Sequence, residues 1–299
     1  MNLLVVGTVA FDDVETPFGL REGILGGSAT HFSYAASFFT DVGIVGAVGE
    51  DFPDDFLQVL DGRGIDRSGL QKIEGKKTFH WSGKYVGDMN EAETLDTQLN
   101  VLDGYRPSVP EGFRETPFVF LANGEPDLQL ATIDQVRPRF LVCDTMNLWI
   151  NTALERLKEV LGRVNGIILN DGEAKLLTGE RNLICAAEAV AAMGPRTVIV
   201  KRGEFGSFLL CDEGRFAIPA YPLRKVIDPT GAGDSFAGGV MGYLAEIGST
   251  SFADLKKAMA YGTVTASFNV EDFSLDNFKR ISRDDIDRRF GEFVAFTSF

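Results

Sequence analysis

Short, uninterrupted apolar runs alternate along this chain with longer stretches in which apolar positions recur with a helical period. Such short runs are typical of strands buried on both faces of a parallel sheet. The longer stretches predict amphipathic helices that cover the sheet. We therefore expect an α/β fold in three layers, α/β/α, around a mostly parallel central sheet. The predicted strands are 3–6, 42–48, 118–122, 140–143, 166–170 and 197–201, and the predicted helices are 29–39, 54–64, 152–161, 183–193, 235–247, 252–268 and 283–296.

A different pattern occupies residues 76–104. Phe79, Trp81 and Tyr85 alternate with polar residues, and residues 95–101 alternate in the same way. Strict alternation is typical of a sheet with one exposed face. We expect one domain over residues 1–299 that carries a small β lid, formed from about residues 13–24 and 76–104. The exposed lid predicts a homodimer, and its aromatic residues would either stack on a ligand or form the dimer core.

Composition narrows the classes of function. With 299 residues, 44% of them hydrophobic, the chain can bury one large core. The net charge of −14 excludes a basic surface for nucleic acid or for an anionic membrane. The three cysteines are scattered and odd in number, without the spacing of a metal site, which is typical of reduced thiols in a cytoplasmic protein.

A glycine-rich turn, residues 228–234, precedes the predicted helix 235–247. Gly231 and Gly233 permit a tight turn and close approach to a ligand, because they lack a Cβ. The unpaired amides and the positive dipole end of the helix favour a phosphate there. Asp234 lies in the same turn, where a carboxylate would repel phosphate unless it accepts a proton from an attacking hydroxyl. The alternative is that Asp234 only caps the helix.

Polar residues follow several of the predicted strands. Asp12 follows the first strand, Asp144, Asn170 and Lys201 follow or end later ones, and Glu173 comes three positions after Asn170. Ligands of open α/β sheets bind at the carboxyl ends of the strands. Each residue alone could cap a helix or turn, but together they predict one shared cleft.

In these motifs the chain resembles the ribokinase (PfkB) family of carbohydrate and nucleoside kinases over nearly its whole length. The most specific match is residues 228–236, Asp-Pro-Thr-Gly-Ala-Gly-Asp-Ser-Phe, which is similar to the C-terminal signature of the family. The other matches are the double glycine at 26–29, the segments 7–12 and 46–51, the N-x-x-E motif at 170–173 and the G-x-x-G turn at 203–206.

The resemblance implies a ribokinase-like fold and transfer of the γ-phosphoryl group of ATP to a hydroxyl of a small sugar or nucleoside. It implies that Asp234 is the general base, and that the amides of Gly231, Ala232 and Gly233 form an anion hole. Acceptor binding is implied for Asp12, Gly26, Gly27 and His31, and nucleotide binding for Asn170, Glu173, Lys201, Gly203, Gly206, Asp228 and Thr230. Asn170 and Glu173 would also organise Mg²⁺ through water. Whether a monovalent cation such as K⁺ assists near Asp228 stays open.

One departure concerns the acceptor. Many family members carry Asn where this chain has Thr30-His31, so the acceptor can differ from ribose, and both a nucleoside and a free sugar stay open. A sugar-phosphate kinase is less favoured, because the region before Asp144 shows no evident basic pair for a second phosphate, although Arg137 and Arg139 weaken that argument. A non-catalytic binding protein on a kinase scaffold is the alternative of another class, and an oxidoreductase is disfavoured because the dinucleotide fingerprint is missing.

Overall fold

The computed structural model of the protein describes residues 1–298. Its strands are β1 (Leu3–Val6), β2 (Ala10–Thr16), β3 (Gly19–Gly26), β4 (Val42–Gly49), β5 (Asp66–Ile73), β6 (Phe79–Tyr85), β7 (Ala92–Gln98), β8 (Phe118–Leu121), β9 (Phe140–Cys143), β10 (Gly166–Asn170), β11 (Thr197–Lys201), β12 (Ser207–Cys211) and β13 (Gly214–Ile218). Its α-helices are α1 (Ser28–Ala36), α2 (Asp54–Asp61), α3 (Pro126–Ile133), α4 (Asn147–Thr152), α5 (Leu154–Leu161), α6 (Asp171–Thr178), α7 (Leu183–Ala191), α8 (Ala232–Ile247), α9 (Phe252–Asn269) and α10 (Arg283–Thr297). Each predicted strand is confirmed to within one residue at either end, whereas the predicted helix 152–161 is divided at Ala153 into α4 and α5.

The central sheet has nine strands in the order β13-β12-β11-β10-β9-β8-β1-β4-β5. The strands from β11 to β5 in this order are parallel, and β12 and β13 add an antiparallel hairpin at one edge. The parallel strands end at one edge of the sheet, where the segments that follow β1, β8, β9, β10 and β11 come together. This edge is where an α/β sheet places its ligand.

Alternation along β1 shows why the fold has three layers. Leu3 and Val5 belong to one buried cluster, with side chains of α1, α8 and α9. Leu4 and Val6 belong to a second cluster on the opposite face, with side chains of α3, α5, α6 and α7. A strand with both faces apolar needs helices on both sides. The three-layer α/β/α prediction is therefore confirmed.

A separate four-stranded sheet, in the order β3-β2-β6-β7, forms the lid. It spans Ala10–Gly26 and Phe79–Gln98, so its first segment is longer at both ends than the predicted 13–24, and its second is shorter at both ends than the predicted 76–104. The early start places Asp12 within strand β2, whereas the sequence suggested a turn after β1. Asn100–Leu102 is a single 3₁₀ turn, and Val101 packs with Ala47 of β4 rather than in the lid.

The two faces of the lid differ in character. Val14 of β2 and Tyr85 of β6 are buried against Phe273, so this inner face is turned towards the body of the protein. The outer face carries two polar contacts between side chains, His80 with Asp13 at 3.1 Å and the ion pair of Lys84 with Glu15 at 2.7 Å. A lid with one buried and one exposed face explains the alternating sequence pattern.

Across residues 1–298, we find no helix with both the length and the apolar character needed to span a bilayer.

Candidate active site

The turn that begins α8 has the geometry of an anion site. Gly231 is the N-cap residue with φ +73°, in the left-handed region that favours glycine. The amide of Ala232 donates to the carbonyl of Pro229 at 3.1 Å, whereas the amides of Gly231 and Gly233 donate to no backbone carbonyl of the described turn. Of the three predicted anion-hole amides, two therefore have no backbone acceptor in the described turn, and they lie at the positive end of the helix dipole.

Asp234 is the third residue of α8 and is half-buried in the cleft beside this turn. The pKa of Asp234 is raised to about 8, chiefly by burial and also by the neighbouring carboxyl of Asp144, while Lys201 opposes the shift. A carboxyl with a raised pKa is a stronger base when ionised than an ordinary Asp. The predicted catalytic residue thus sits where a proton acceptor is needed, next to the anion site.

Lys201 supplies the positive charge of this cluster. It ends β11, and its Nζ lies 3.6 Å from Oδ2 of Asp144. Burial alone would lower the pKa of Lys201, but the carboxylates of Asp144, Glu173 and Asp234 outweigh it and raise the pKa, so the side chain stays charged. A Cβ on Gly233 would lie 2.8 Å from Lys201 Nζ, which places the ammonium directly beside the anion-hole backbone.

Asn170 and Glu173 form a reciprocal capping box at the start of α6. The side chain of Asn170 accepts from the amide of Glu173 at 2.7 Å, and Glu173 Oε2 accepts from the amide of Asn170 at 2.7 Å. Burial raises the pKa of Glu173 to about 7, and Asp144 adds to the shift. Residues 1–298 contain no group of three or more His, Cys, Asp or Glu side chains placed to hold a metal ion. Binding of Mg²⁺ through water by Asn170 and Glu173 stays a prediction.

Asp12 faces the body of the protein from the inner side of the lid. It is 5% exposed, and burial raises its pKa to about 7, the Gly27 amide lowers it, and the carboxyls of Asp228 and Asp13 raise it. A Cβ on Gly26 would lie 1.9 Å from Asp12 Oδ2, so glycine is required for this approach. Gly27 has φ +96° at the start of α1. The structure brings together the three predicted acceptor residues Asp12, Gly26 and Gly27.

The fourth predicted acceptor residue, His31, is 2% exposed beneath Gly231. Burial lowers its pKa to about 4, although a hydrogen bond to Asn269 opposes the shift, so the imidazole is neutral near pH 7. Its Nδ1 lies 3.1 Å from Oδ1 of Asn269. The ring thus belongs to the same region as the anion hole, with one nitrogen engaged by the protein.

The remaining predicted nucleotide residues lie on two turns. Gly203 and Gly206 have φ of +52° and +83° in the turn that follows Lys201. Asp228 is fully buried, and its carboxylate accepts from the amides of Thr230 at 2.8 Å and Ser274 at 3.3 Å. Asp228 therefore shapes the backbone before the anion hole, since both of its oxygens are committed to amides.

Two residues near the site were missed from the sequence. Asn269, at the end of α9, bonds His31, and Asn90 of the lid donates to Glu204 at 3.2 Å, beside Gly203. Neither belongs to a recognisable motif. Each meets the site through a contact more than 100 positions away in the chain, which no local pattern indicates.

This constellation matches a known family. Residues 131–280 match the model of the pfkB family carbohydrate kinases. A cytidine kinase of Thermococcus kodakarensis is 30% identical over 248 residues, which cover 81% of this chain and 87% of that protein. The chain belongs to the pfkB family. It is accordingly a phosphotransferase with an alcohol group as acceptor, a carbohydrate or nucleoside kinase.

Other relatives of this pfkB-family kinase agree with the assignment. A nucleoside kinase of Methanothermobacter thermautotrophicus is 26% identical over 292 residues, 91% of this chain and 90% of that protein. The crystal structure of the Methanocaldococcus jannaschii nucleoside kinase, an archaeal member of the ribokinase family, superposes with a TM-score of 0.78 at 22% identity, covering 98% of this chain and 99% of that one. At this identity the superposition shows the fold, which confirms the ribokinase-like α/β architecture.

Proposed function

We propose that this protein transfers the γ-phosphoryl group of ATP to a hydroxyl of a nucleoside, with Asp234 as the general base. The observation that carries the proposal is the turn Gly231–Asp234. It offers free amides for the transferring group, a carboxyl of raised pKa for the proton, and Lys201 beside the same backbone. Phosphoryl transfer needs this combination of charge stabilisation and alignment.

The proposed reaction is a single displacement. The acceptor oxygen forms a bond to the γ-phosphorus as the bond from that phosphorus to the β–γ bridging oxygen breaks, which leaves ADP. Asp234 takes the hydroxyl proton, while the amides of Gly231 and Gly233 and the ammonium of Lys201 stabilise the charge on the equatorial oxygens. Asp12 holds another hydroxyl of the acceptor from the inner face of the lid.

Asn170 and Glu173 would hold Mg²⁺ through water at the start of α6. When bound, the ion supplies positive charge to the phosphate oxygens of the nucleotide. Glu173 fits this part because its capping bond uses Oε2 and leaves Oε1 with no protein partner within the described structure. Glu173 is buried next to Lys201, and the ends of β10 and β11 hold this arrangement rigid.

The lid favours a nucleoside over a free sugar. Trp81 pairs with Asp12 across β2 and β6, so both side chains leave the same face of the lid. A Cβ on Gly83 would lie 2.1 Å from the Trp81 ring, which therefore lies flat along the sheet against a residue without a side chain. A flat indole beside the hydroxyl-binding carboxylate is suited to stacking a base. Tyr85 is buried in the cluster with Val14 and Phe273, against which Trp81 packs partly buried, and Phe79 packs in the same way against a second cluster.

The comparisons point the same way. Relatives named cytidine kinase and nucleoside kinase span most of this chain. A nucleoside kinase of Burkholderia thailandensis in complex with inosine superposes with a TM-score of 0.80 at 20% identity, over 98% of this chain and 99% of that one. A nucleoside acceptor is consistent with both.

The structure is less consistent with a sugar-phosphate kinase or a non-catalytic binding protein. A sugar phosphate needs cations near Asp12, but Arg137 and Arg139 precede β9 and so lie at the amino ends of the strands, where the guanidinium of Arg139 packs over Phe118. A non-catalytic binding protein has no use for a carboxyl of raised pKa beside the anion hole.

The homodimer through the lid stays a prediction. Strand β7 of the lid is exposed along its whole length, and light scattering would test whether the protein dimerises.

Steady-state assays of ADP release with Mg-ATP and a panel of nucleosides and sugars test the proposal. We expect a nucleoside to give the highest kcat/KM, and Asp234→Asn to lower kcat about 10²–10⁴-fold while the acceptor still binds. Because Asp234 has a pKa of about 8, wild-type kcat/KM should rise from pH 6 to pH 8. Full activity of Asp234→Asn, or stimulation by sugars alone, would contradict the proposal.

A further inference from the structure

His31 and Asn269 form a buried pair beneath the turn that begins α8. His31 is 2% exposed and Asn269 is 1% exposed. Their hydrogen bond, 3.1 Å from Nδ1 to Oδ1, joins α1 to the end of α9 across 238 positions of sequence. Two polar side chains buried this deeply are retained only where their hydrogen bonds are made within the protein.

Asn269 holds the turn at both of its ends. Its Nδ2 donates to the carbonyl of Thr230 at 2.8 Å, and the hydroxyl of Ser235 donates to its Oδ1 at 3.1 Å. Thr230 directly precedes Gly231, and Ser235 directly follows Asp234. One side chain therefore fixes the two residues that flank the anion hole and the proposed base.

These contacts also set the tautomer of His31. A backbone carbonyl only accepts, so the amide nitrogen of Asn269 must face Thr230, and its Oδ1 must face His31. Since Oδ1 is an acceptor, His31 carries its proton on Nδ1, and Nε2 has none. The ring meanwhile lies against the middle of the turn, because a Cβ on Gly231 would lie 2.3 Å from Cγ and Nδ1 of His31.

We propose that His31 is a positioning residue, which holds the segment Gly231–Asp234 in place through Asn269 and makes no hydrogen bond to the acceptor. The inference rests on the function proposed above and differs from the direct acceptor contact that the family resemblance implies. It assigns to the pair His31–Asn269 the task of keeping the free amides and Asp234 aligned for transfer.

Two substitutions separate the roles of the ring nitrogens. The side-chain N–H of Asn lies near the position of Nδ1, whereas that of Gln lies near Nε2. With the best nucleoside, we expect His31→Asn to stay within about threefold of wild-type kcat, and His31→Gln to lose about 10²-fold with an acceptor KM changed less than about threefold. His80→Asn and His80→Gln, on the outer face of the lid, are the matched controls and should keep wild-type rates.

The reverse ranking would overturn the inference. If His31→Gln is the more active variant, or if either variant raises the acceptor KM while kcat is kept, then Nε2 contacts the acceptor. Asn269→Asp adds a second test, because it loses the donor to the carbonyl of Thr230. We expect a loss of kcat similar to that of His31→Gln, and an unchanged kcat would contradict the positioning role of the pair.

Nitrogen-15 NMR of the wild type tests the pair without turnover or mutation of the site. The protein has two histidines, and His80→Gln identifies their signals. We expect the Nδ1–H tautomer for His31, whereas the Nε2–H tautomer would overturn the inference even in an active enzyme. If the wild type shows the Nδ1–H tautomer but phosphorylates no panel compound, both the proposed function and the positioning role would be overturned. The hydrogen bond between His31 and Asn269 would then have a structural role only.

Discussion

Asp12→Asn should stabilise the free protein while it weakens binding of the acceptor. Asp12 is 5% exposed and has no cation partner, and its pKa is raised from 3.8 to about 7. In the unfolded chain the carboxyl ionises near pH 4, whereas in the folded protein it stays protonated until about pH 7. The stability that the protonated form provides is complete below pH 4 and is lost as the pH rises through 7. Asn retains the shape and has no charge to bury.

The size of the effect follows from the shift. A difference of one pKa unit corresponds to about 1.4 kcal/mol. The wild type should therefore lose about 1.4 kcal/mol of unfolding free energy per pH unit between pH 4 and pH 7, about 4 kcal/mol in all, and no more above that range. The gap between Asp12→Asn and the wild type should widen with this slope and then become constant.

Urea unfolding at pH 5, 6, 7 and 8, followed by tryptophan fluorescence, measures the gap. Glu15→Gln is the matched control on the outer face of the same strand, where its partner is Lys84. This exposed pair should contribute little to stability, so the gap for Glu15→Gln should stay small and should not widen as that of Asp12→Asn does. A gap for Asp12→Asn that does not change with pH would show that Asp12 is already ionised at pH 5, and the reasoning from burial would be wrong.

Three further predictions test other parts of the site. Gly231→Ala should abolish most activity and destabilise the fold more than Gly64→Ala does. Both glycines have positive φ, but only at Gly231 would a Cβ lie 2.3 Å from a ring, that of His31. Equal melting temperatures for the two variants would contradict this prediction. Trp81→Ala should raise the nucleoside KM about tenfold with little change in kcat, and Trp81→Phe should recover most of the affinity; equal KM values for all three proteins would remove the stacking argument. Lys201→Met should raise the KM for ATP and destabilise the protein by about 3 kcal/mol, because Asp144 loses its buried partner; an unchanged melting temperature would argue against the charged cluster.

The sequence predicted the body of the protein better than the lid. Short apolar runs such as residues 3–6 and 166–170 are typical of buried strands, and Asn170, Lys201 and Asp234 lie at the strand ends and the helix start, as predicted. Asp12 was misplaced, because β1 is followed by only three residues before β2 begins. The alternation in β2 is not apolar against polar, since Asp12 itself is one of the buried positions. Hydrophobic patterns cannot indicate a strand whose inward face carries a carboxylate.

The contacts of Asn269 show a second limit. Its position is set by the packing of α9 on α8, and its partners Thr230 and His31 come from segments that are distant in sequence. The amide of Ala232, which donates to a backbone carbonyl, shows the same limit. The sequence identified the residues of the turn, but only the turn geometry decides which of their N–H groups are free. Motifs identify the groups that do chemistry, whereas the residues that hold them are found only in the folded chain.

The same physical cause links the proposed chemistry to the stability of the site. Burial is the largest cause that raises the pKa of Asp12, Glu173 and Asp234 to between about 7 and about 8, and Lys201 opposes the shift at the last two. In the free protein near pH 7, about half of the Asp12 and Glu173 carboxyls and a larger fraction of Asp234 are protonated, which lowers the cost of burying them. Acceptor hydroxyls at Asp12, and positive charge near Glu173, favour the ionised forms, so ligand binding near pH 7 should release protons. The site is therefore most stable at low pH, where its carboxyls are protonated. Ligand binding favours their ionised forms, which are basic enough for proton transfer.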